Sequence, residues 1–253
     1  MVENRVQTEP YDPLTEMYST MRPYIVCVFL LIFAIAAPTS TAQIRGEGGL
    51  SFAVGVPTGE FGDQLESVGF GGHIFGAIGL PGSPILFGAD VGFLIYGRER
   101  RNEPFSTTIP DVRVDVVTDN NLVSGHFFVR LQPDLEGIRP YADALIGFKH
   151  LFTQTRIQND GFEDIEIARS TNFNDTALSY GVGGGVQFQV YGGGQDKGPS
   201  AAYIDLGVKY LIGSRAGYLK EGSIRREDGN VTFDVTNSDT SMLVVQLGVA
   251  VRF

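Results

Sequence analysis

Apolar and polar residues alternate along most of the chain after residue 43. The clearest case is the segment 241–253, in which one face is large and apolar: Leu243, Val245, Leu247, Val249, Val251 and Phe253. The other face is small or polar: Met242, Val244, Gln246, Gly248, Ala250 and Arg252. Successive side chains of a β-strand point to opposite faces, so this period of two predicts a strand.

The same division recurs in seven earlier segments, and eight strands are therefore predicted. With the last one included, the eight segments are 50–56, 69–80, 84–97, 122–131, 141–152, 178–191, 201–212 and 241–253. In a water-soluble, lipocalin-like barrel the large apolar face would point inward. In a membrane-spanning barrel it points to lipid, and the small polar face fills the lumen. The 33 glycines and the absence of tryptophan favour many tight turns over a helical core.

The links between these segments alternate in length. Long links are predicted at 57–68, 97–121, 154–176 and 213–240, and shorter ones at 81–84, 132–137 and 192–200. Outer-membrane barrels have long extracellular loops and short periplasmic turns. The pattern therefore predicts an all-β fold, an eight-stranded antiparallel up-and-down transmembrane β-barrel with both ends periplasmic.

The first 42 residues are predicted to lie outside this barrel. Residues 25–37 are apolar, Arg22 precedes them and small residues follow, as in a secretory signal peptide. Ser40 and Ala42 are the small residues at the −3 and −1 positions, so we expect cleavage between Ala42 and Gln43. The acidic residues of segment 1–20 do not suit a signal peptide, so we interpret 1–20 as an upstream extension, 21–42 as the signal and 43–253 as the barrel. The apolar run is too short for a comfortable helical span, although an uncleaved anchor stays an alternative.

The chain is acidic, with a net charge of −10 and a pI near 4.7. This balance argues against a nucleic-acid partner, because such proteins usually carry a basic surface. It leaves two interpretations open: a solvated acidic surface, or divalent cations that bridge the protein to lipopolysaccharide.

Several charged residues fall on the predicted lumen face. They are Glu47, Asp90, Arg130, Asp143, Lys149, Asp205, Lys209 and Arg252. Unpaired buried charges are costly, so these residues should pair with one another. We predict that Arg130 bridges Asp90 and Asp143, and that Glu47 pairs with Arg252 where the first and last strands meet. A packed polar plug is favoured, and a narrow ion path is the alternative.

The sequence offers little catalytic chemistry. We interpret His73 and His126 as lumen residues and His150 as a residue near the outer interface; none has metal-site spacing, and no cofactor is expected. His150 with Ser170, Asp160 and Glu163 is the one candidate enzyme set, and its spacing matches no pattern of outer-membrane enzymes. We therefore expect a protein that is not an enzyme.

Three stretches resemble small outer-membrane β-barrel families grouped around the OmpA transmembrane domain and OmpX, in particular the "outer membrane protein beta-barrel domain" family. They are GVPTGEFGD at 55–63, RPYADALIG at 139–147 and VVQLGVAVRF at 244–253. The last resembles a C-terminal assembly signal formed by Leu247, Val249, Val251 and Phe253, which implies recognition by the barrel-assembly machinery. The resemblance implies no biochemical activity.

Together these observations predict a barrel in the bacterial outer membrane, in contact with membrane lipid and lipopolysaccharide. The sequence leaves the oligomeric state open, and a monomer is favoured. Its expected role is structural, or surface interaction through the long loops. A small passive channel and a lipid A-modifying enzyme are the alternatives.

Overall fold

A computed structural model describes residues 45–65, 67–104, 113–159, 166–192, 200–227 and 230–253. The interpretations of segments 1–20 and 21–42, with Ser40, Ala42 and Gln43, lie outside the described residues and stay predictions.

The described chain is built almost entirely of strands. They are β1 (Arg45–Pro57), β2 (Gly69–Gly79), β3 (Ile85–Pro104), β4 (Arg113–Leu131), β5 (Ile138–Asn159), β6 (Glu166–Gly192), β7 (Ala201–Gly213), β8 (Arg215–Tyr218), β9 (Ile224–Glu227), β10 (Asn230–Phe233), β11 (Thr236–Asp239) and β12 (Met242–Arg252). One short helix, α1 (Glu60–Gln64), follows β1.

Eight strands close into an antiparallel barrel in the order β1-β12-β7-β6-β5-β4-β3-β2. The first and last barrel strands pair from Glu47↔Arg252 to Pro57↔Met242, which seals the sheet. The chain enters β1 and leaves β12 at the same end, here called the turn end; the opposite end is the loop end. The predicted eight-stranded up-and-down barrel is thereby confirmed.

Two short links at the turn end contain a glycine with positive φ. Gly82 has φ 69° between β2 and β3, and Gly137 has φ 79° between β4 and β5. Side chains with a Cβ rarely adopt this conformation, so glycine lets the chain reverse within a few residues.

Four strands are much longer than the sequence pattern predicted. Strands β3, β4, β5 and β6 have 20, 19, 22 and 27 residues, whereas β1, β2, β7 and β12 have 11 to 13. The predicted loops 97–121 and 154–176 are therefore wrong over most of their length. They continue the ladder, for example from Gly97↔Asn120 to Pro104↔Arg113. We call residues 97–104, 113–121, 153–159 and 166–173 the extension.

The other two predicted loops also contain regular structure. Helix α1 lies within 57–68, and the segment 213–240 contains two small sheets, β8 with β11 and β9 with β10. These elements are too short to show a clear period, which explains why the pattern did not reveal them.

Candidate functional site

The outward face of the barrel is apolar. Large exposed side chains occur on every barrel strand: Phe52 on β1, Ile74 on β2, Phe93 on β3, Phe127 on β4, Ile146 on β5, Val182 on β6, Leu206 on β7 and Leu247 on β12. Phe127 is 74% exposed, whereas its inward neighbour Phe128 is 4% exposed. A continuous exposed apolar belt of this size is unusual for a protein surrounded by water. The predicted assignment of faces is therefore confirmed, and we call this surface the apolar belt.

The inward face of the barrel holds the charges. Of the eight predicted lumen residues, seven are buried: Glu47, Asp90, Arg130, Asp143, Lys149, Asp205 and Lys209. The eighth, Arg252, lies at the turn end with its side chain 27% exposed.

The lumen layer nearest the turn end is organised around Arg130. Its Nε and Nη2 donate to the two oxygens of Asp143 at 2.8 and 2.9 Å, and its Nη1 lies 3.4 Å from Glu47. The guanidinium carbon lies 3.8 Å from the centre of the Tyr141 ring. Tyr141 in turn donates its hydroxyl to Asp205 at 2.9 Å. Bidentate, charge-assisted hydrogen bonds of this kind are the strong ones.

A second arginine completes this layer. Arg139 is fully buried, its Nη2 donates to Gln132 at 2.8 Å, and it lies 3.3 Å from Glu47. Gln187 donates to Glu47 at 2.6 Å and accepts from Gln132 at 2.9 Å. The pattern did not predict Arg139, Gln132 and Gln187 as members of the network. The signal was present, because Arg139 shares the face of Tyr141 and Asp143 by the period of two.

The two predicted pairings need correction. Arg130 pairs with Asp143 as predicted, but its second acid is Glu47, and Asp90 pairs with Lys209 and His126 instead. Glu47 and Arg252 are backbone partners, yet they do not pair through their side chains. Arg252 reaches outward to Asp134 at 2.8 Å, because that acid lies in the turn beside the strand end.

The middle layer is a chain of hydrogen bonds. Asp90 Oδ1 lies 3.1 Å from His126 Nδ1, and His126 Nε2 lies 3.0 Å from Ser179 Oγ. Lys209 bonds the other oxygen of Asp90. Acid, imidazole and hydroxyl in this order are the elements of a nucleophilic triad. Ser179 has no exposed surface, however, so a substrate cannot reach it in this conformation.

Above this layer the interior becomes apolar. Lys149 donates to the carbonyl oxygens of Leu211 and Thr240 at 3.1 and 2.6 Å. The large buried residues nearby are Leu94, Leu122, Leu151, Leu211 and Met242. Phe61 of α1 is fully buried above them, with its ring centre 5.0 Å from that of Tyr218. The lumen is therefore filled with side chains from the turn end to α1.

The outward face of the extension carries mainly charged and polar side chains. Arg98 donates to Asp119 at 2.5 Å, Arg156 bonds the other oxygen of Asp119, and Arg100 donates to Asp115 at 2.6 Å. We call Arg98, Arg100 and Arg156 the arginine ladder. Hydrogen bonds from Arg100 hold the pKa of the Asp115 carboxyl below its ordinary value, and the hydrogen bond to Asp119 raises the pKa of Arg98.

The predicted enzyme candidates are not brought together. His150 points outward, stacks on Phe152 and hydrogen-bonds Thr176 at 2.8 Å. Ser170 is the partner of the inward-facing Thr155, so it lies on the opposite face of the sheet. Asp160 and Glu163 lie outside the described residues.

Two other features are absent from the described residues. Within the described ranges, no group of three or more histidine, cysteine or acidic side chains could hold a metal ion. In the same part of the chain, no helix is long and apolar enough to cross a membrane.

Comparison with known proteins gives structural matches only. No family model matches the chain, and no curated protein matches it. It is similar to Neisserial surface protein A (NspA), with 15% identity, TM-score 0.42, and coverage of 83% of this chain and 97% of that one. It is also similar to a major outer membrane protein of Thermus thermophilus, with 14% identity, TM-score 0.43, and coverage of 82% and 99%. A third match is the outer membrane protein OprG of Pseudomonas aeruginosa, with 10% identity, TM-score 0.42, and coverage of 85% and 98%.

Proposed function

We propose that this chain is an integral protein of the bacterial outer membrane that acts as a structural or surface-interaction barrel, with a sealed lumen and no catalysis. The observation that carries the proposal is the inversion of its two faces. Exposed apolar side chains cover all eight barrel strands, while Glu47, Asp90, Arg130 and Asp143 are buried inside. This arrangement is stable when the surrounding solvent is lipid.

The position of the barrel in the membrane can be tested by placing a charged side chain on the apolar belt. Phe127→Arg puts a cation at the middle of the belt, where it should cost about 2–4 kcal/mol of unfolding free energy. Phe233→Arg is the matched control, since Phe233 lies on β10 at the loop end and is also exposed, at 42%. The measurement is the boiling-dependent shift on a denaturing gel, with protein from outer-membrane fractions under increasing urea. Equal effects of the two substitutions, or a soluble periplasmic protein, would contradict the proposal.

The filled lumen supports a sealed barrel over the passive-channel alternative. Arg139, Lys149, Leu122 and Leu151 are fully or almost fully buried across the interior. Reconstituted protein should therefore give no steady unit conductance in a planar bilayer. Regular conductance steps that grow when Leu122 and Leu151 are replaced by alanine would favour the channel.

Lipopolysaccharide is the proposed partner of the arginine ladder. Arg156 lies on the same face as Phe152, four residues further along β5, or roughly 13 Å beyond the apolar residue. Arg98 and Arg100 have side chains 57% and 58% exposed. Guanidinium groups just above a lipid-facing belt suit the phosphates of the outer leaflet.

This contact can be measured with purified lipopolysaccharide and the detergent-solubilised barrel. The triple replacement of Arg98, Arg100 and Arg156 by glutamine should lower the number of lipopolysaccharide molecules retained in native mass spectra. The control replaces Arg215, Lys220 and Arg225 at the loop end by glutamine, which removes the same amount of positive charge. Equal retention by both variants would remove the ladder from the proposal.

The exposed C-terminal face is the proposed contact for the assembly machinery. Leu247, Val249 and Phe253 are 55%, 54% and 64% exposed on β12 and just after it. Phe253→Ala should reduce the yield of folded barrel in outer-membrane fractions more than Phe52→Ala on β1. A monomer is the proposed state, to be checked by mass of the protein–detergent complex.

A further inference from the structure

A cavity lies at the loop end, on the inward face of the extension. One wall is formed by paired rows of the extension: Arg101–Val116–Ile157–Ala168, then Thr118–Thr155–Ser170. Residues that pair directly across antiparallel strands share a face, so these seven side chains line one surface. That surface continues the lumen face and is separate from both the apolar belt and the arginine ladder.

The opposite wall is the hairpin of β9 and β10. Ile224, Val231 and Phe233 line it, and together the two walls border a half-open cavity of about 330 Å³. Arg101 ties the walls together, because its Nη2 donates to the Ile224 carbonyl at 3.2 Å while its Nε donates to Glu99 at 2.8 Å. The volume lies at the small end of the range for ligand pockets.

Most polar groups of the cavity are already satisfied. The hydroxyl groups of Thr118 and Thr155 are 3.0 Å apart, and Asn172 donates to Thr155 at 2.6 Å. Ser170 and Arg169, which also line the cavity, are exposed. The cavity thus offers mainly apolar walls, with the Ser170 hydroxyl and the arginines at its polar edge.

The apolar side chains of the hairpin are exposed where no lipid is expected. Val231 and Phe233 are 45% and 42% exposed, although β9 and β10 lie beyond the barrel at the loop end. Covering such surface is favourable by about 25 cal/mol per Å² of apolar area. A ligand that fills the cavity gains this burial from Val231, Phe233, Val116 and Ile157.

We propose that this cavity binds a small, mostly apolar ring compound with a single hydrogen-bonding group, oriented by Ser170. The volume is too small for the several acyl chains of an outer-leaflet lipid, and the mostly apolar lining suits a ring compound better than a sugar. This inference rests on the proposed surface-interaction role of the loop end and specifies the ligand class.

Indole is a suitable probe, because it is apolar, carries one N–H donor and dissolves in water. The chain has no tryptophan, so indole fluorescence can be read without a tryptophan background. Wild-type barrel in detergent should raise indole anisotropy in a saturable manner, above the signal of micelles alone. Ser170→Ala should weaken binding about threefold to tenfold, the equivalent of one ordinary hydrogen bond.

Filling the cavity provides the decisive variant. Ala168→Phe should weaken indole binding by at least tenfold, and Val231→Phe, which fills the cavity from the hairpin, should do the same if the first variant folds poorly. Ala142→Phe is the matched control, because Ala142 is exposed on the outward face of β5. It should bind indole like the wild type.

Each outcome separates the inference from the proposed function. Binding by either cavity-filling variant at wild-type strength would overturn the cavity as the site. A wild-type barrel that shifts on boiling but binds no indole beyond micelles would overturn the inference and leave the membrane proposal intact. Wild-type protein that shows no boiling-dependent shift and binds no indole would contradict both.

Discussion

The bidentate pair of Arg130 and Asp143 gives the sharpest test of the lumen network. Arg130→Met keeps most of the side-chain volume but leaves Asp143 without its partner at 2.8 and 2.9 Å. Breaking a buried pair on one side typically costs about 3–5 kcal/mol. The contact of the guanidinium with the Tyr141 ring at 3.8 Å is lost as well. We expect the unfolding free energy to fall by about 4 kcal/mol, the middle of that range.

The double variant tells whether charge is the cause. Asp143→Asn removes the acid charge, so Arg130→Met combined with Asp143→Asn should cost less than the sum of the single changes, by about 2 kcal/mol. The assay is urea unfolding in detergent micelles, followed by far-UV circular dichroism and by the unboiled gel shift. Arg252→Met is the control, because Arg252 pairs with Asp134 at the partly exposed turn end and should lose about 1 kcal/mol or less. Additive single effects, or equal losses for Arg130→Met and Arg252→Met, would refute the reasoning.

Three further predictions concern packing and the barrel ends. Gly147→Ala would place a Cβ 1.9 Å from the Gly125 carbonyl oxygen and should cost about 1–3 kcal/mol in the same urea assay, whereas Gly76→Ala meets nothing within 4 Å and should be neutral. Phe61→Ala removes the fully buried ring of α1 and should speed cleavage at Glu60 by a glutamate-specific protease without abolishing the boiling-dependent shift; unchanged cleavage would contradict this role. Burial acts to raise the pKa of Asp134, but Arg252 and Arg45 outweigh it and hold this pKa below its ordinary value. A carboxyl group whose pKa is lower in the folded state stabilises the fold at pH values above its unfolded pKa of about 4. Asp134→Asn should therefore lower the unfolding free energy by about 1 kcal/mol or less at pH 7. The difference from the wild type should vanish as the pH falls below 4.

The barrel itself could be predicted from the sequence because its physical constraint is simple. Each strand must present apolar residues to one side and small or polar residues to the other, and the printed sequence records that requirement directly. Phe127 and Phe128 are adjacent, and a period of two places such neighbours on opposite faces, as observed. The even number of strands then placed the start of the first strand and the end of the last strand at the same end of the barrel.

The extension could not be predicted in the same way, since neither of its faces is uniformly apolar. Its outward face pairs Arg98 and Arg156 with Asp119, and its inward face mixes Thr155 with Ile157. Without lipid on one side there is no period to detect.

The predicted ion-pair partners in the lumen were wrong for another reason. Backbone neighbours such as Glu47 and Arg252 can be predicted, but long side chains choose among several acids within reach.

The interior of the barrel is filled by a charged layer and an apolar layer. Among the described lumen residues, four acids and four bases are buried: Glu47, Asp90, Asp143 and Asp205, with Arg130, Arg139, Lys149 and Lys209. Lys149 binds two carbonyl oxygens and no acid. The set as a whole favours a single packing. It is bounded by the buried Arg139 layer at the turn end and by Leu94, Leu122 and Leu151 toward the loop end. A solute would have to displace both layers to cross. Among the described residues of the extension, the surfaces proposed for interaction are the arginine ladder on its outward face and the cavity on its inward face.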